Sequence, residues 1–198
     1  MRKILIAVWL LIPLAGAAYH FGPGQRGERL DAAARRVAQA EALEARRDFA
    51  GAVDAYADAL ALLPDDAPAG ASRRLRLKRA KARMFAAQLP DANADLEDLL
   101  AEVAADPKAD RALATDVRAA LASSQYYMTW LKRLEGAPRE EWQPFIDEAR
   151  QNYRVLADES RSAGDEPAAL RRQEDLDASV RLARMDLSEL QGLPLPSQ

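Results

Sequence analysis

Few side chains in this sequence have the types and spacing that catalysis requires. The chain has no Cys, which excludes thiolate nucleophiles, disulfides and Cys-based zinc sites, and its single His is His20. Paired carboxylates such as Asp65-Asp66 and Glu140-Glu141 could act as acid and base, but their arginine-rich surroundings favour solvated surfaces. The sequence contains no Gly-rich phosphate loop, no HExxH and no serine elbow. We therefore expect no enzyme activity, no metal site and no bound cofactor.

Anion binding is the other chemistry that the side chains suggest. The run from Arg73 to Arg83, RRLRLKRAKAR, has seven basic residues in eleven. Aromatic residues for base stacking do not interleave this run, and we expect no nucleic-acid partner. The run could contact a protein partner or lipid headgroups, or it could pair with the acidic segment 91–106, which has no basic residue. The candidate contact residues are Arg73, Arg74, Arg76, Lys78 and Arg79.

Two adjacent tyrosines, Tyr126 and Tyr127, are further candidates for a binding surface. Neighbouring residues on a helix point in different directions, so the two rings cannot share one face. Both could pack in the core, or one of them could line a groove, where an aromatic ring supplies a large contact area. The aromatic residues that follow, from Trp142 to Tyr153, have helical spacing and are predicted to be core.

The first 24 residues have the pattern of an export signal or a membrane anchor. Arg2 and Lys3 precede an apolar run from Ile4 to Ala18. The small residues at 15–17 suit a cleaved signal, whereas the aromatic residues at 19–21 suit an inner-membrane anchor through residues 4–21. Both alternatives predict that the body is exported from the cytoplasm, either anchored to the inner membrane or periplasmic.

The body that would carry these side chains is predicted to be all-α. The chain has 198 residues, 49% hydrophobic and 30% charged, with a net charge of −3, and it is rich in Ala, Leu, Arg and Glu. Gly and Pro residues divide it into intervals without strand-like alternation. Asp48, Asp91 and Asp165 could cap helices. The predicted helices are 27–46, 49–63, 70–88, 91–105, 109–134, 139–160 and 167–190, and short connections predict antiparallel hairpins.

The segment from Asp48 to Pro64, DFAGAVDAYADALALLP, has an ordered face. Ala52 and Ala59 are small enough for a neighbouring helix to approach closely, and Tyr56 fills the space between them. The other apolar residues of that face are Phe49, Val53, Leu60 and Leu63. On the preceding helix, Ala40 and Leu43 provide a matching small and large residue.

This pattern resembles the tetratricopeptide repeat. The matching residues are Ala40, Leu43, Phe49, Ala52, Tyr56, Ala59, Leu60 and Pro64. The sequence departs from the pattern at Arg36 and Gln39, where the family has large apolar residues, and at Arg47, where it usually has Gly. The resemblance implies a short solenoid of stacked helix pairs, with a concave binding surface and no chemistry of its own.

Weaker copies of the pattern follow the first one. Ala92, Leu96 and Leu99 stand forty residues after Ala52, Tyr56 and Ala59, with Ala82 and Phe85 as partners; Ala149, Tyr153 and Leu156 could form a third set with Ser124 and Tyr127. The predicted organisation is a signal or anchor at 1–24 and a helical domain at 25–190. Within it are a best repeat at 33–64, degenerate repeats at about 75–107 and 120–160, and a capping helix at 167–190, before an extended tail at 191–198.

Three classes of function fit this reading. The leading hypothesis is a non-enzymatic adaptor or scaffold of the cell envelope that binds a protein or peptide in a groove between stacked helix pairs. The alternatives are a structural subunit of an envelope or membrane-associated assembly, and a small-ligand-binding or catalytic protein whose site has no recognisable motif.

Overall fold

The described part of the chain, residues 25–191 of a computed structural model, consists of α-helices joined by short turns and contains no strand. The helices are α1 (Gln25–Ala45), α2 (Phe49–Leu62), α3 (Ala69–Phe85), α4 (Leu89–Ala105), α5 (Arg111–Leu134), α6 (Arg139–Ser162), α7 (Glu166–Arg184) and α8 (Leu187–Gln191). The predicted all-α class with stacked helices is therefore confirmed. The predicted signal or anchor at 1–24, and residues 192–198 of the predicted tail, lie outside the described residues.

The chain divides into two compact units, with the boundary between Leu75 and Arg76 inside α3. In the first unit, α1 and α2 form a packed helical hairpin. Ala52, Tyr56 and Ala59 of α2 are fully buried, as is Ala40 of α1. The Tyr56 hydroxyl donates a hydrogen bond to Glu44 Oε2 at 3.2 Å, so this large buried side chain has a partner for its polar end.

Two clusters of apolar side chains form the core of the second unit. One joins residues 76–85 of α3 to α4 and α5, and the other joins α5 to α6, α7 and α8. Helix α5 contributes to both clusters, with Leu121 in the first and Ala122 in the second. Because α5 is covered on several sides, it is the helix whose polar residues are most often buried.

Four turns between helices share one backbone geometry. Each contains a residue with positive φ: Arg47 (62°), Ala87 (58°), Gly136 (73°) and Gly164 (74°). The next residue donates its N–H to the carbonyl five positions back, as from Asp48 to Leu43 at 2.9 Å, Gln88 to Arg83 at 3.0 Å, Ala137 to Lys132 at 2.9 Å and Asp165 to Ser160 at 3.0 Å. This is the Schellman ending of a helix, which satisfies carbonyls of the last turn. Two of the four turns adopt it without glycine.

Small residues recur at fixed positions around these turns. Seven residues before each positive-φ residue stands a buried Ala or Thr: Ala40, Ala80, Thr129 and Ala157, all 0% or 1% exposed. Five residues after three of the four stands a buried Ala: Ala52, Ala92 and Ala169. The two positions lie on successive helices, so small side chains let the helices of each hairpin approach closely.

The helix starts are partly as predicted. Asp48 Oδ1 accepts a hydrogen bond from Gly51 N and Asp165 Oδ1 accepts one from Ala168 N, both at 3.0 Å, which confirms these two caps. The prediction for Asp91 is wrong, because α4 begins at Leu89 and places Asp91 in its first turn. Pro90 fits that turn because the first N–H groups of a helix have no intrahelical partner.

The predicted helix 167–190 is interrupted. Helix α7 ends at Arg184, Met185 has an extended backbone, and Asp186 directly precedes α8. Asp186 Oδ1 accepts a hydrogen bond from Glu189 N at 2.8 Å, while Glu189 Oε2 accepts one from Asp186 N at 3.0 Å. This reciprocal capping box starts a new helix where the apolar spacing alone predicts a continuous one.

Arg133 connects the end of α5 to the end of α7. Its guanidinium donates hydrogen bonds to the carbonyl oxygens of Leu182 and Met185, and it lies 4.9 Å from the ring centroid of Trp142. The residue is 9% exposed, and burial lowers the pKa of its guanidinium, against the opposing charge of Asp186. Because α7 ends at Arg184, these two carbonyl oxygens have no N–H group of a following helical turn to accept from, and Arg133 provides the donors instead.

Candidate functional site

Three tyrosines and one aspartate lie where α5, α6 and α7 meet. Both α5 and α7 pack against α6. Tyr126 and Tyr127 come from α5, Tyr153 from α6 and Asp175 from α7. We call these four residues the tyrosine cluster. Their charges influence one another, because Asp175 raises the pKa of Tyr127 and of Tyr153, and Tyr127 raises the pKa of Tyr126.

The two adjacent tyrosines have different environments. Their rings meet edge to face, with centroids 5.7 Å apart and an interplanar angle of 86°. Tyr126 packs against the core cluster of α5 to α8, to which Tyr127 does not belong. Both side chains are only half-buried. Of the two adjacent rings, Tyr127 is the one whose position core packing does not explain.

The phenol groups lie in partly desolvated surroundings. Burial raises the pKa of Tyr127, and the Asp175 carboxylate raises it further. Burial also raises the pKa of Tyr153; its hydrogen bond with Ser123, 3.3 Å between the two oxygens, lowers it, and Asp175 again raises it. These hydroxyls remain protonated at neutral pH and are available as hydrogen-bond donors.

Asp175 is the charged member of the cluster. Burial raises the pKa of its carboxyl group, and the Arg172 guanidinium, whose Nη1 lies 3.4 Å from Asp175 Oδ2, opposes this shift. Arg172 is on the same helix, three residues earlier, and such a pair stabilises a helix by only about 0.2–0.5 kcal/mol. Asp175 is therefore a half-buried carboxylate with one weak ion pair.

The cluster suits recognition better than catalysis. It offers aromatic rings, phenol hydroxyls and one carboxylate, which can bind side chains and backbone groups of a polypeptide. Across residues 25–191, the hydroxyls of Tyr126 and Tyr127 make no hydrogen bond to another protein group. The described residues also contain no group of three or more side chains that could hold a metal ion.

The basic run lies along α3 and continues into the second unit. Arg79 Nη2 and Arg83 Nη1 both approach Asp95 Oδ2, at 3.1 Å and 2.7 Å, and Arg76 pairs with Glu102. These contacts join α3 to the acidic α4, as the paired alternative predicts. Of the other candidate contact residues, Arg73 is 9% exposed, whereas Arg74 and Lys78 are exposed side chains.

The predicted packing residues occupy the α1–α2 hairpin. Beside the fully buried residues described above, Pro64 is buried and Leu43, Phe49 and Leu60 are half-buried. In the second pair, Ala82 is 1% exposed but Phe85 is 39% exposed, so Phe85 contributes little to the core. Ala80, which stands at the same distance from its turn as Ala40, is fully buried.

Two members of the tyrosine cluster were not predicted as site residues. Tyr153 has the spacing of a core residue and is in fact 5% exposed, but its hydroxyl reaches Ser123. Asp175 directly precedes Leu176, a residue of the apolar stripe of α7. A charged residue next to such a stripe is the sequence signal that could have identified Asp175 as a site residue.

Comparison of the chain with models of protein families and with curated proteins finds no match. Among residues 25–191, no helix has the length and apolar character needed to cross a membrane.

Proposed function

We propose that this chain is a non-enzymatic adaptor that binds a protein or peptide partner at the tyrosine cluster. The observation that carries the proposal is Tyr127, a half-buried ring that meets Tyr126 edge to face but lies outside the core cluster. The Asp175 carboxylate of α7 raises the pKa of this ring, so a negative charge acts at the same place. Aromatic residues in such positions give large contact area at a low entropic cost. Helices α5 and α7, which carry Tyr127 and Asp175, both pack on α6, and this packing fixes the two helices in place.

We also propose that the fold is related to tetratricopeptide repeats. The left-handed backbone of Arg47 supports this relation, because this is the position where the family usually has Gly. The small buried residues on the two sides of each turn support it further. Such a scaffold presents surfaces between helix pairs for extended or helical peptides.

A location in the cell envelope is part of the proposal. It is supported by the basic and apolar composition of residues 1–24 alone, and the body would then bind its partner outside the cytoplasm. Fractionation of cells with an alkaline wash tests this part separately: recovery of the chain from the cytoplasm would contradict it.

The binding proposal is tested by selecting peptides from a displayed library on the full chain and measuring their affinity for variants. We expect Tyr127→Ala to weaken binding by about tenfold or more, the typical effect of losing an aromatic anchor, and Tyr127→Phe to weaken it less. Leu170→Ala is the control, because Leu170 is 64% exposed on α7 and apolar. Equal affinities for wild type and Tyr127→Ala, or an equal loss with Leu170→Ala, would refute the proposal.

A further inference from the structure

Helix α8 is short and mostly exposed. It has five residues, Leu187–Gln191, and it packs against α5. Leu187, Ser188 and Glu189 are exposed, whereas Leu190 is 1% exposed. A helix of five residues is not stable alone, because nucleating it costs more than its few hydrogen bonds return. The position of α8 on the second unit therefore depends largely on the burial of one leucine.

Leu190 fills a place in an apolar cluster that longer helices build. The cluster includes Trp130 of α5, Trp142 of α6 and Leu182 of α7, which are 7%, 9% and 2% exposed. These three helices hold one another without α8, since both α5 and α7 pack against α6. Moving α8 away would therefore open an apolar site and leave the helices that form it in contact.

The junction between α7 and α8 is held at its α7 end. Met185 has ψ 147°, and it stands between the last residue of α7 and Asp186, which caps α8. The Arg133 guanidinium donates to the carbonyl oxygens of Leu182 and Met185, both of which precede α8. These two bonds fix the end of α7. Rotation of the backbone at Asp186 would move α8 without breaking them.

The capping box acts within α8 and its cap alone. Asp186 Oδ1 accepts from Glu189 N at 2.8 Å and from Ser188 Oγ at 2.7 Å, and Asp186 N donates to Glu189 Oε2 at 3.0 Å. All three hydrogen bonds join residues of the segment 186–189. They keep α8 helical and do not tie it to a neighbouring helix, so α8 can move as one small unit.

We propose that α8 is a latch, which swings open at Asp186 and exposes the apolar site that Leu190 fills, while α7 and the hydrogen bonds of Arg133 stay in place. Local opening costs little free energy where few apolar contacts are lost. Burial of one leucine favours the closed state by a factor on the order of 10 to 100, so the open state is a minor but accessible one. The latch thus controls when solutes reach the cluster of Trp130 and Trp142.

Thiol labelling of the full chain tests whether the site opens. The chain has no Cys, so Leu190→Cys and Leu182→Cys each carry a single thiol, at positions 1% and 2% exposed in the same apolar cluster. We expect a disulfide reagent to label position 190 at least about tenfold faster than position 182. Urea should accelerate labelling at 190 much less than at 182, because opening α8 exposes little surface. Equal rates, or an equal urea dependence, would overturn the proposal.

Amide hydrogen exchange gives the same comparison in the wild-type chain, where Leu190 is intact. The Leu190 N–H donates to Asp186 O at 3.1 Å, and the Leu182 N–H lies inside α7. Corrected for intrinsic rates, the Leu190 amide should exchange at least about tenfold faster than the Leu182 amide. Equal protection of the two amides would show that α7 and α8 open together, which contradicts a latch.

A substitution in the capping box tests whether α8 moves separately from α7. Asp186→Ala removes the acceptor of Glu189 N, and we expect exchange of the Leu190 amide to become about fivefold faster, the typical effect of losing a helix cap. Exchange of the Leu182 amide should not change. Asp177→Ala, at an exposed position on α7, is the control and should affect neither amide. Equal acceleration at Leu190 and Leu182 by Asp186→Ala would refute the latch. None of these measurements involves a partner at Tyr127, so this inference goes beyond the proposed function and fails independently of it.

Discussion

At the scale of single residues, two turns adopt a left-handed backbone without glycine. Arg47 has φ 62° and Ala87 has φ 58°, whereas Gly136 and Gly164 occupy the equivalent positions of two other turns. A side chain in this conformation brings Cβ close to the following carbonyl and is disfavoured relative to Gly. In the sequence, Arg47 is only a departure from the tetratricopeptide pattern that this segment resembles. The hydrogen bonds of the turn show that the conformation is kept nonetheless.

Exchanging residues at these turns should change stability in opposite directions. We expect Ala87→Gly to raise the free energy of unfolding by about 1 kcal/mol and Gly164→Ala to lower it by about the same amount. A Cβ on Gly164 would meet no atom within 4 Å, so backbone strain alone is tested there. Denaturant unfolding measures both effects, and Ala86→Gly is the neighbouring control, which should not stabilise. If Ala87→Gly lowered the free energy of unfolding, Ala87 would not have the left-handed backbone described here.

The charge of Asp175 should be measurable at Tyr127. Since the carboxylate adds to the burial that raises the pKa of Tyr127, we expect Asp175→Asn to lower that pKa. Asp177→Asn, an exposed position on the same helix, should leave it unchanged. An NMR titration of the tyrosine ring resonances gives both values. If the pKa of Tyr127 is equal in Asp175→Asn and wild type, the two residues are not neighbours.

At the scale of elements, the helices were largely predictable, because breakers and apolar spacing are local signals. The predicted α2 and α6 start at the observed residues, Phe49 and Arg139. The break between α7 and α8 was not predicted, since Leu187 and Leu190 continue the apolar spacing of α7. The capping box from Asp186 to Glu189 was the local signal that the periodicity concealed.

The two hydrogen bonds that Arg133 donates to Leu182 and Met185, which we call the Arg133 clamp, should stabilise the junction between α7 and α8. We expect Arg133→Met to lower the free energy of unfolding by about 2 kcal/mol, because two carbonyl oxygens lose a charged donor. Amide hydrogen exchange should also become faster in α8, where Leu190 is 1% exposed. Arg139→Met is the control, since Arg139 lies 5.9 Å from the same Trp142 ring but is exposed. Similar effects of both substitutions would argue against the clamp.

Pairing of the basic α3 with the acidic α4 rests largely on Asp95. Its Oδ2 accepts from two arginines, whose side chains are 21% and 23% exposed. Asp95→Ala would leave both guanidinium groups partly buried without this anion, and we expect a loss of about 2 kcal/mol in the free energy of unfolding. Asp98→Ala, at an exposed position on the same helix, should change it by less than about 0.5 kcal/mol. Chemical denaturation measures both changes. Equal changes in the two variants would show that Asp95 contributes no more than any exposed carboxylate.

At the scale of the molecule, the candidate site was only half predictable. The sequence singled out Tyr126 and Tyr127 because neighbouring aromatic residues cannot share one helix face. It could not place Asp175 beside Tyr127, because their proximity depends on how α5, α6 and α7 pack, which local spacing does not specify. The buried amides of Asn93 and Gln125 were missed for the same reason: their partners Ser124 and Glu148 come from other helices.

A protein can bind a partner without any catalytic motif in its sequence. Recognition needs rigid helices, exposed anchors and fixed charges, and each of these arises from the packing of ordinary residues. The tyrosine cluster draws two of its four residues, Tyr126 and Tyr127, from α5.

Site-specific photo-crosslinking tests whether a partner docks at Tyr127. A photoreactive phenylalanine analogue replaces Tyr127 in the full chain, expressed in its own cells, and the control carries the analogue at Leu170, which is 64% exposed. We expect a discrete protein adduct from position 127 that is absent or much weaker from position 170. Adducts of equal yield from both positions, or from position 170 alone, would contradict the claim that the tyrosine cluster is the docking surface.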